Sequence, residues 1–479
     1  MRKTKIIATL GPNAENIDIL REMAKIMDVG RFNFSHGDYD EHKKKLTLLD
    51  QVSKELNRPI ARLLDTKGPE IRTGVNKNRE KISLVKGSHI ILSMVECECD
   101  DKKIYVNYEK LIDDVNVDNT ILLDDGLIEL KVISKDKEKN TIECEIIVSG
   151  ELGEHKGVNV PGLAISLPDL TDKDREDIRF GIKEGFDIIA ASFVRSANCI
   201  KEIRKILDEN NSHMKIIAKI ENEEGIKNLD EIMNEADGIM IARGDLGVEV
   251  KNYEVPYFQK EIIKKCNEKG KIVITATQML DSMMRNPRPT RAETTDVANA
   301  IYDGTDCVML SGETANGKYP VEAINMMNKI AIETEKHIDY SARREHMFLH
   351  DLNKTITNTV CKMVVNSANI LKAKAIVAPT SSGHTALILS KYKPNEPIYA
   401  LTNNISVCRQ LMLCYAVTPF YWDRPNSSDL IVGDSIVKLK NEGKVENGDI
   451  CVIAFGVETM ESGDRKKVHT NTMRIATVY

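Results

Sequence analysis

Short runs of apolar residues recur up to residue 310, and segments with the helical spacing of apolar residues lie between them. Runs that stay apolar at successive positions are typical of strands buried on both faces. Strands are predicted on this basis at residues 5–9, 29–33, 60–65, 187–193, 215–220, 238–242, 271–276 and 306–310. Eight strands with intervening helices predict an α/β fold whose strands close into a (β/α)8 barrel. A doubly wound open sheet is the alternative that the same pattern allows.

A long interruption separates the third strand of this series from the fourth. From about residue 73 to residue 162 the chain has short alternating runs, separated by turn sequences such as Asp124-Asp125-Gly126 and Lys139-Asn140. This pattern predicts a small all-β domain inserted after the third strand. We expect it to lie over the C-terminal mouth of the barrel, where a lid is useful.

The pattern changes again near residues 341–344, a charged stretch that could join two domains. Beyond it, helices and strands alternate as in a separate α/β sandwich. The predicted organisation is therefore a catalytic barrel at 1–72 and 163–344, the inserted all-β lid at 73–162, and a C-terminal α/β regulatory domain at 345–479. Thr171 and Asp174 have the spacing of a capping box and open the first helix after the insertion.

Composition narrows the classes of function. The 479 residues carry a net charge of -6, which argues against nucleic acid as a main partner. No apolar run approaches the length of a membrane span, and the apolar run near the start is too short for a signal peptide. The ten cysteines are scattered without a Cys-x-x-Cys pair, as in reduced cytosolic proteins. We therefore expect a cytoplasmic protein that binds neither membrane nor nucleic acid.

Two neighbouring strand ends carry the most informative residues. Lys219 and Glu221 end the fifth predicted strand, and Asp245 follows the sixth. Hard carboxylate oxygens at the C-terminal ends of adjacent barrel strands suit Mg²⁺ or Mn²⁺. Lys219 would add a positive charge that meets negative charge developing during a reaction. The alternative is a salt-bridge cluster on the surface, between loops.

Further polar clusters follow the other strands and would share the same rim. Arg31 and Arg72 have the planar guanidinium that binds phosphate or carboxylate with two hydrogen bonds. No Gly-x-x-x-x-Gly-Lys-Ser/Thr loop is present, so a nucleotide would be held in another way. A second, weakly charged cation would suit the oxygens of four residues, which are Asn33, Ser35, Asp65 and Thr66.

Seven motifs together resemble those of the pyruvate kinase family. They are RFNFSHG at 31–37, LDTKGPEIR at 64–72, KIEN at 219–222, ARGDLGVE at 242–249, TATQML at 275–280, NPRPTRAE at 286–293 and MLSGET at 309–314. The likeness covers almost the whole chain and is closest to the bacterial form that lacks an extra C-terminal domain. It implies transfer of phosphate from phosphoenolpyruvate to ADP, giving pyruvate and ATP, in a cytoplasmic homotetramer that acts in the last step of glycolysis.

The resemblance also implies roles for individual residues. Mg²⁺ would bind Glu221 and Asp245, and K⁺ would bind Asn33, Ser35, Asp65 and Thr66. K⁺ dependence is expected because Glu70 is acidic, whereas relatives with lysine at this position supply the charge themselves. The substrate and catalytic residues would be Arg31, Lys219, Gly244, Asp245 and Thr277, with Thr277 at the face where the enolate is protonated. The nucleotide would contact Asn33, Phe34, Ser35, His36, Arg72 and Lys156.

A loop in the C-terminal domain predicts an effector site. The resemblance implies that this loop binds a phosphate of a sugar-phosphate activator. Hydroxyls at a helix N-terminus also suit an anion. The loop consists of Thr380, Ser381, Ser382, Gly383, His384 and Thr385, with residues 456–472 as the other wall. The alternative is a simple helix cap. Ser196 and His384 stand where relatives carry basic residues, and His384 would make activation depend on pH.

Two other functions are open to the same fold. A metal-dependent phosphoenolpyruvate or pyruvate lyase would need the metal and enolate site but no nucleotide and no lid. A non-catalytic metabolite sensor would have lost Lys219, Glu221 or Asp245, and all three are present. Arg72, Lys156 and the inserted domain favour the kinase over the lyase.

Overall fold

The computed structural model describes residues 2–163, 165–351, 354–423, 430–457 and 469–479. Eight parallel strands form a closed barrel, which confirms the predicted fold class and excludes the open sheet. The strands are Lys5–Thr9 (β1), Val29–Asn33 (β2), Ala61–Asp65 (β3), Ile188–Ala191 (β4), Lys215–Ile220 (β5), Gly238–Ala242 (β6), Ile272–Ala276 (β7) and Cys307–Leu310 (β8). β1 pairs with β8 to close the barrel, and β3 pairs with β4 across the insertion.

Helices surround the barrel and bury their apolar sides against its strands. They are Ile17–Ala24, Tyr39–Glu55, Asp172–Lys183, Ala197–Glu209, Glu223–Lys227, Leu229–Glu235, Arg243–Glu249, Val255–Lys269, Arg291–Asp303, Gly312–Ala315 and Pro320–Lys336. The predicted capping box is present, because the Thr171 side chain accepts from the Asp174 amide and Asp174 accepts from the Thr171 amide. In the part of the chain that the structure describes, no helix is both long and apolar enough to cross a membrane.

The insertion between β3 and β4 is a mostly β domain with its own apolar core. It contains the strands Ile82–Leu84, His89–Ser93, Lys103–Tyr105, Thr120–Leu123, Ile128–Asp136, Thr141–Val148, Gly150–Leu152 and Val158–Asn159 and one helix, Leu111–Asp114. The predicted turns are real: φ is 51° at Asp124, 54° at Asp125 and 52° at Asn140. Asn159 Nδ2 donates to Glu249 Oε1 at 2.6 Å, so this domain contacts the rim of the barrel.

The C-terminal domain is a five-stranded sheet with helices. Its strand order is Val417–Tyr421, Ile398–Thr402, Ala375–Pro379, Ile450–Phe455 and Thr472–Thr477, and its helices are Ile356–Ile370, His384–Lys391, Ile405–Gln410 and Ile431–Asn441. The last strand is antiparallel to its neighbour and was not predicted. The charged stretch 341–344 lies inside a helix, Tyr340–His350, rather than in an irregular connection. The exact domain bounds stay predictions.

The C-terminal domain packs against the N-terminal ends of the barrel strands, away from the predicted site. Arg409 Nε donates to Asp187 Oδ1 at 2.8 Å, and Asp187 directly precedes β4. Lys393 forms a buried ion pair with Asp306, which precedes β8. Lys5 Nζ donates to the carbonyl oxygen of Val417 at 2.5 Å. Two of these contacts pair buried charges across the interface, and the third ties the buried Lys5 ammonium to a main-chain carbonyl.

His42 lies beneath the loop that carries residues 33–36. Its ring is 3% exposed and stacks on Phe34 with 4.1 Å between centroids. Burial lowers the pKa of His42 to about 4, so the folded protein keeps the ring neutral where an unfolded chain binds a proton. Stability is therefore lost as the pH falls from the unfolded value near 6.5 to about 4.

We expect His42→Gln to remove this pH dependence. At pH 7 the variant is less stable because the ring stacking is gone. Between pH 7 and pH 4, however, the free energy of unfolding falls by about 3 kcal/mol more in the wild type than in the variant. Thermal unfolding midpoints of both proteins, measured in steps across this range, should therefore converge on acidification. Curves that stay parallel would contradict the assignment to His42.

Candidate active site

Lys219 lies at the centre of a buried polar cluster at the C-terminal ends of β3, β4 and β5. Its ammonium donates to Asp65 Oδ1 at 3.0 Å and to Ser192 Oγ at 2.7 Å, and lies 3.0 Å from Glu221 Oε1. Lys219 is 8% exposed and Glu221 is 1% exposed. The alternative of a surface salt-bridge cluster is therefore excluded.

The charges in this cluster stabilise one another. Burial alone lowers the pKa of Lys219, but Asp65 and Glu221 outweigh it and raise that pKa above its usual value. Burial raises the pKa of Asp65, but Arg31 and Lys219 hold it below its usual value. Arg31 Nε donates to Asp65 Oδ2 at 2.6 Å, and Arg31 also donates to Thr9 Oγ1 at 2.9 Å. The lysine is therefore a fixed positive charge rather than a base.

Glu221 and Asp245 fit a divalent cation. The pKa of Glu221 is raised to about 7, mainly by burial and further by the nearby Asp245 charge, although Lys219 opposes the shift. The other Glu221 oxygen accepts from the Phe193 amide at 2.6 Å. A divalent cation would relieve the repulsion between two carboxylates, and both supply the hard oxygen ligands that Mg²⁺ and Mn²⁺ prefer.

Thr277 lies beside Gly244 and Asp245. Its Oγ1 accepts from the Gly244 amide at 2.8 Å and donates to the carbonyl oxygen of Ala276 at 2.7 Å. Thr277 and Gln278 both have positive φ, 65° and 54°, which costs energy at residues other than glycine. Arg243 donates to the Thr277 carbonyl oxygen at 2.8 Å and so helps to hold this strained backbone in place.

The residues predicted to bind K⁺ gather where β2 and β3 end. Asn33 and Asp65 are direct partners in the register of the two strands. Asn33 Oδ1 accepts from the Ser35 amide at 3.1 Å, and Thr66 Oγ1 accepts from the Ser192 amide at 3.1 Å. Several candidate oxygens therefore already accept hydrogen bonds, and the assignment to K⁺ stays a prediction.

Glu70 is turned toward a guanidinium. Its Oε2 accepts from Arg72 Nε at 2.8 Å, and this hydrogen bond is the main cause of a raised Arg72 pKa. The attraction of the Glu70 charge for a nearby K⁺ would therefore be partly offset by the positive charge of Arg72.

A cavity of about 520 Å³ lies between the inserted domain and the barrel, which is enough space for a nucleotide. Lys156 lines it from the inserted domain, Asp245 from the barrel, and Arg72 from the point where the two domains join. Lys156 Nζ is 2.8 Å from Asp124 Oδ1, so the lysine forms an ion pair with this carboxylate. Two of the predicted nucleotide residues therefore face the mouth of the barrel together with the predicted metal site.

The other predicted nucleotide residues are placed differently. Among the described residues, Asn33, Ser35 and His36 do not line this cavity. Phe34 is 3% exposed and packs on His42, so its side chain belongs to the core. The assignment of Phe34 to the nucleotide stays a prediction.

Sequence reasoning missed Ser192, although it accepts a hydrogen bond from Lys219. Its Oγ also donates to the carbonyl oxygen of Thr66 at 2.6 Å. A signal was available, because Ser192 lies at the C-terminal end of the fourth predicted strand, 187–193, where other strands carry polar site residues. Ser196, where the resemblance led us to expect a basic residue, caps the helix Ala197–Glu209 by accepting from the Asn198 amide.

All six predicted effector residues, 380–385, line one cavity of about 640 Å³ between the C-terminal domain and the barrel. Lys215 of the barrel and His469 line it too. Burial, followed by His469 and Lys215, lowers the pKa of His384. Of the other predicted wall, residues 458–468 lie outside the described residues. Gly383 is the N-cap of the helix His384–Lys391, so no side chain at that position caps the helix.

The fold and the site together define a class of enzyme. A parallel barrel with a buried lysine and two carboxylates at its C-terminal mouth, next to a cavity lined by basic side chains, is suited to metal-assisted chemistry on anionic substrates.

Comparison with known proteins identifies the family. The family described as "Pyruvate kinase, barrel domain" matches residues 1–324, and "Pyruvate kinase, alpha/beta domain" matches residues 358–476. The pyruvate kinase of Sporosarcina psychrophila is 49% identical over 481 residues, covering 99% of this chain and 80% of the relative. Those of Staphylococcus epidermidis and Staphylococcus aureus are each 48% identical over 480 residues, with the same coverage. The chain belongs to the pyruvate kinase family, which confirms the predicted phosphotransferase.

Proposed function

We propose that this enzyme transfers the phosphoryl group of phosphoenolpyruvate to ADP with the help of Mg²⁺ and K⁺. The observation that carries the proposal is the Lys219 ammonium, buried 3.0 Å from Asp65 and Glu221 at the mouth of the barrel. The cavity lined by Arg72 and Lys156 supports a nucleotide as the second substrate and so favours the kinase over the lyase.

The residues suggest a division of labour. Arg31 would bind the anionic groups of phosphoenolpyruvate, and the Gly244 amide would contact them after exchanging its bond to Thr277 Oγ1 for a substrate oxygen. Lys219 would stabilise charge on the phosphoryl group in transfer. Thr277, whose hydroxyl donates to the Ala276 carbonyl oxygen, would orient the group that protonates the enolate. When bound to Glu221 and Asp245, a divalent cation would neutralise substrate charge.

We expect turnover to depend on K⁺. Pyruvate formation from phosphoenolpyruvate and ADP, with Mg²⁺ present, should fall at least about tenfold when K⁺ is replaced by a bulky organic cation. Glu70→Lys should retain more activity without K⁺ than the wild type, because it places a positive charge near the site, and Glu70→Gln serves as the control that only removes charge. Equal turnover of the wild type with and without K⁺ would refute the cation assignment and leave the kinase intact.

We infer that the cavity at 380–385 binds a phosphorylated metabolite that activates the enzyme. Thr380 Oγ1 accepts from the Gly383 amide at 3.0 Å, an arrangement that shapes the loop around the start of the helix His384–Lys391. Lys215 adds a positive charge to the cavity. Hydroxyls, helix amides and a cation together suit a phosphate group.

Ser382→Asp should abolish this activation. A carboxylate in the loop would repel phosphate, so the ratio of rates with and without a panel of sugar phosphates should fall toward one. Ser382→Ala, which keeps the loop uncharged, is the matched control. Activation of Ser382→Asp equal to that of the wild type would place the effector elsewhere.

We also propose a cytoplasmic homotetramer. Ile356, Met363 and Ile370 on the first helix of the C-terminal domain are 67%, 41% and 70% exposed, and Ile475 on the last strand is 51% exposed. Apolar side chains of this size on an outer surface support contacts between subunits. Light scattering tests the proposal, since a mass of one or two chains would contradict it.

A further inference from the structure

The chain re-enters the barrel from the inserted domain through a short segment, residues 165–168, here called the return linker. The linker is attached to the inserted domain on one side. The amide and hydroxyl of Ser166 donate to the two oxygens of Asp114 at 3.1 and 3.2 Å, and Ile165 and Leu167 pack on the apolar core of that domain. Movement of the inserted domain therefore has to move the linker.

On the barrel side, one arginine holds the linker. Arg195 Nη1 donates to the carbonyl oxygen of Ile165 at 3.2 Å. Its Nη2 donates to the carbonyl oxygens of Leu167 at 2.5 Å and Pro168 at 2.9 Å. Within the described ranges Arg195 forms no ion pair, and the three hydrogen bonds of its guanidinium all go to main-chain carbonyls. Hydrogen bonds from a charged donor are stronger than neutral ones, so this contact is a firm attachment.

The loop that carries Arg195 also belongs to the catalytic cluster. Three residues earlier, Ser192 accepts from Lys219, and the amide of Phe193 donates to the metal-binding carboxylate of Glu221. The main chain of Arg195 is fixed in turn by Asn228, whose side chain donates to its carbonyl oxygen at 2.8 Å. Within four consecutive residues, 192–195, Ser192 thus contacts the lysine, Phe193 contacts the predicted metal carboxylate and Arg195 contacts the return linker.

We propose that Arg195 is a positioning residue that holds the return linker and thereby sets the inserted domain over the nucleotide cavity. The inference rests on the proposed contact between that domain and the nucleotide. The guanidinium acts through the linker carbonyls, and it holds Ile165 and Leu167 at the wall of the nucleotide cavity, which Arg195 also lines. Its loss should weaken binding of ADP, which needs the inserted domain, more than binding of phosphoenolpyruvate, which is held by the barrel.

Two measurements on the full-length enzyme test this. In Arg195→Gln, hydrogen–deuterium exchange in peptides covering 165–170 should be at least about tenfold faster, because three hydrogen bonds from a charged donor are lost. The KM for ADP should rise at least about fivefold, and the KM for phosphoenolpyruvate should change less than twofold. Arg195→Lys keeps the charge but cannot reach three carbonyls, so it should give an intermediate effect. It also serves if Arg195→Gln does not fold.

Arg175→Gln is the matched control, because Arg175 pairs with Glu202 nearby and does not hold the linker. Unchanged exchange of the linker in Arg195→Gln, or an equal rise of both KM values, would overturn the proposal. Lys156→Met is measured alongside. A normal KM for ADP in Lys156→Met would refute the contact between the inserted domain and the nucleotide. A raised KM for ADP in Lys156→Met, together with a normal KM for ADP in Arg195→Gln, would refute only the role of Arg195.

Discussion

Lys219→Met should lower kcat by about 10³-fold or more while the protein remains folded. The substitution keeps most of the side-chain length and removes the one ammonium that Asp65 and Glu221 enclose at 3.0 Å. Charge on the phosphoryl group in transfer then has no cation at that position. The effect on the KM for phosphoenolpyruvate should be smaller, since the lysine acts on charge that develops in the reaction.

A second buried lysine offers a matched control for this experiment. Lys5 is also nearly inaccessible, but it lies at the opposite end of the barrel and donates to the Val417 carbonyl oxygen. Lys5→Met removes a buried ammonium without touching the site, so it should alter stability and leave kcat within a few-fold. Circular dichroism of both variants, with Mg²⁺ present, checks folding. A kcat within tenfold of the wild type in Lys219→Met would remove the proposed role of the lysine.

Asp245→Asn should raise the Mg²⁺ concentration needed for half-maximal rate by at least about tenfold and lower the maximal rate by about 10²-fold or more. The substitution keeps shape and hydrogen bonding but removes one of two charges that would hold the cation. The remaining ligand, Glu221, has a raised pKa because of burial, and removing the neighbouring Asp245 charge lowers that pKa. A single carboxylate next to Lys219 is a poor site for a divalent cation.

Direct binding of Mn²⁺, followed by electron paramagnetic resonance, separates the loss of metal from the loss of rate. The control is Asp230→Asn, which removes an exposed carboxylate paired with Lys265 on the outside of the barrel. Normal Mn²⁺ affinity in Asp245→Asn would show that the cation binds elsewhere.

The barrel could be predicted from sequence because its strands are buried on both faces and so appear as continuous apolar runs. Seven of the eight barrel strands agree with the predicted bounds to within one residue at each end, among them Lys5–Thr9 and Gly238–Ala242. The last strand, Thr472–Thr477, was missed. It lies at the edge of its sheet with several side chains exposed, and such a strand gives no apolar run.

The grouping of Asp65, Lys219 and Glu221 could be predicted because polar side chains at strand ends are conspicuous after apolar runs. What could not be found was the detail that depends on the main chain. The Arg195 contacts end on three carbonyl oxygens, which every residue possesses, so no sequence pattern marks them. The side chain of Phe34 was assigned to the nucleotide by its motif, whereas packing on His42 places it in the core.

The pairing of the barrel strands also constrains how the chain can be made. β3 ends at residue 65, and its partner β4 begins at residue 188, after the whole inserted domain. The second partner of β1, Cys307–Leu310, is synthesised later still. During synthesis the first three strands therefore expose unpaired edges, which are prone to wrong pairing. The barrel cannot close until residue 310 has left the ribosome, whereas the inserted domain, with its own core, can form much earlier.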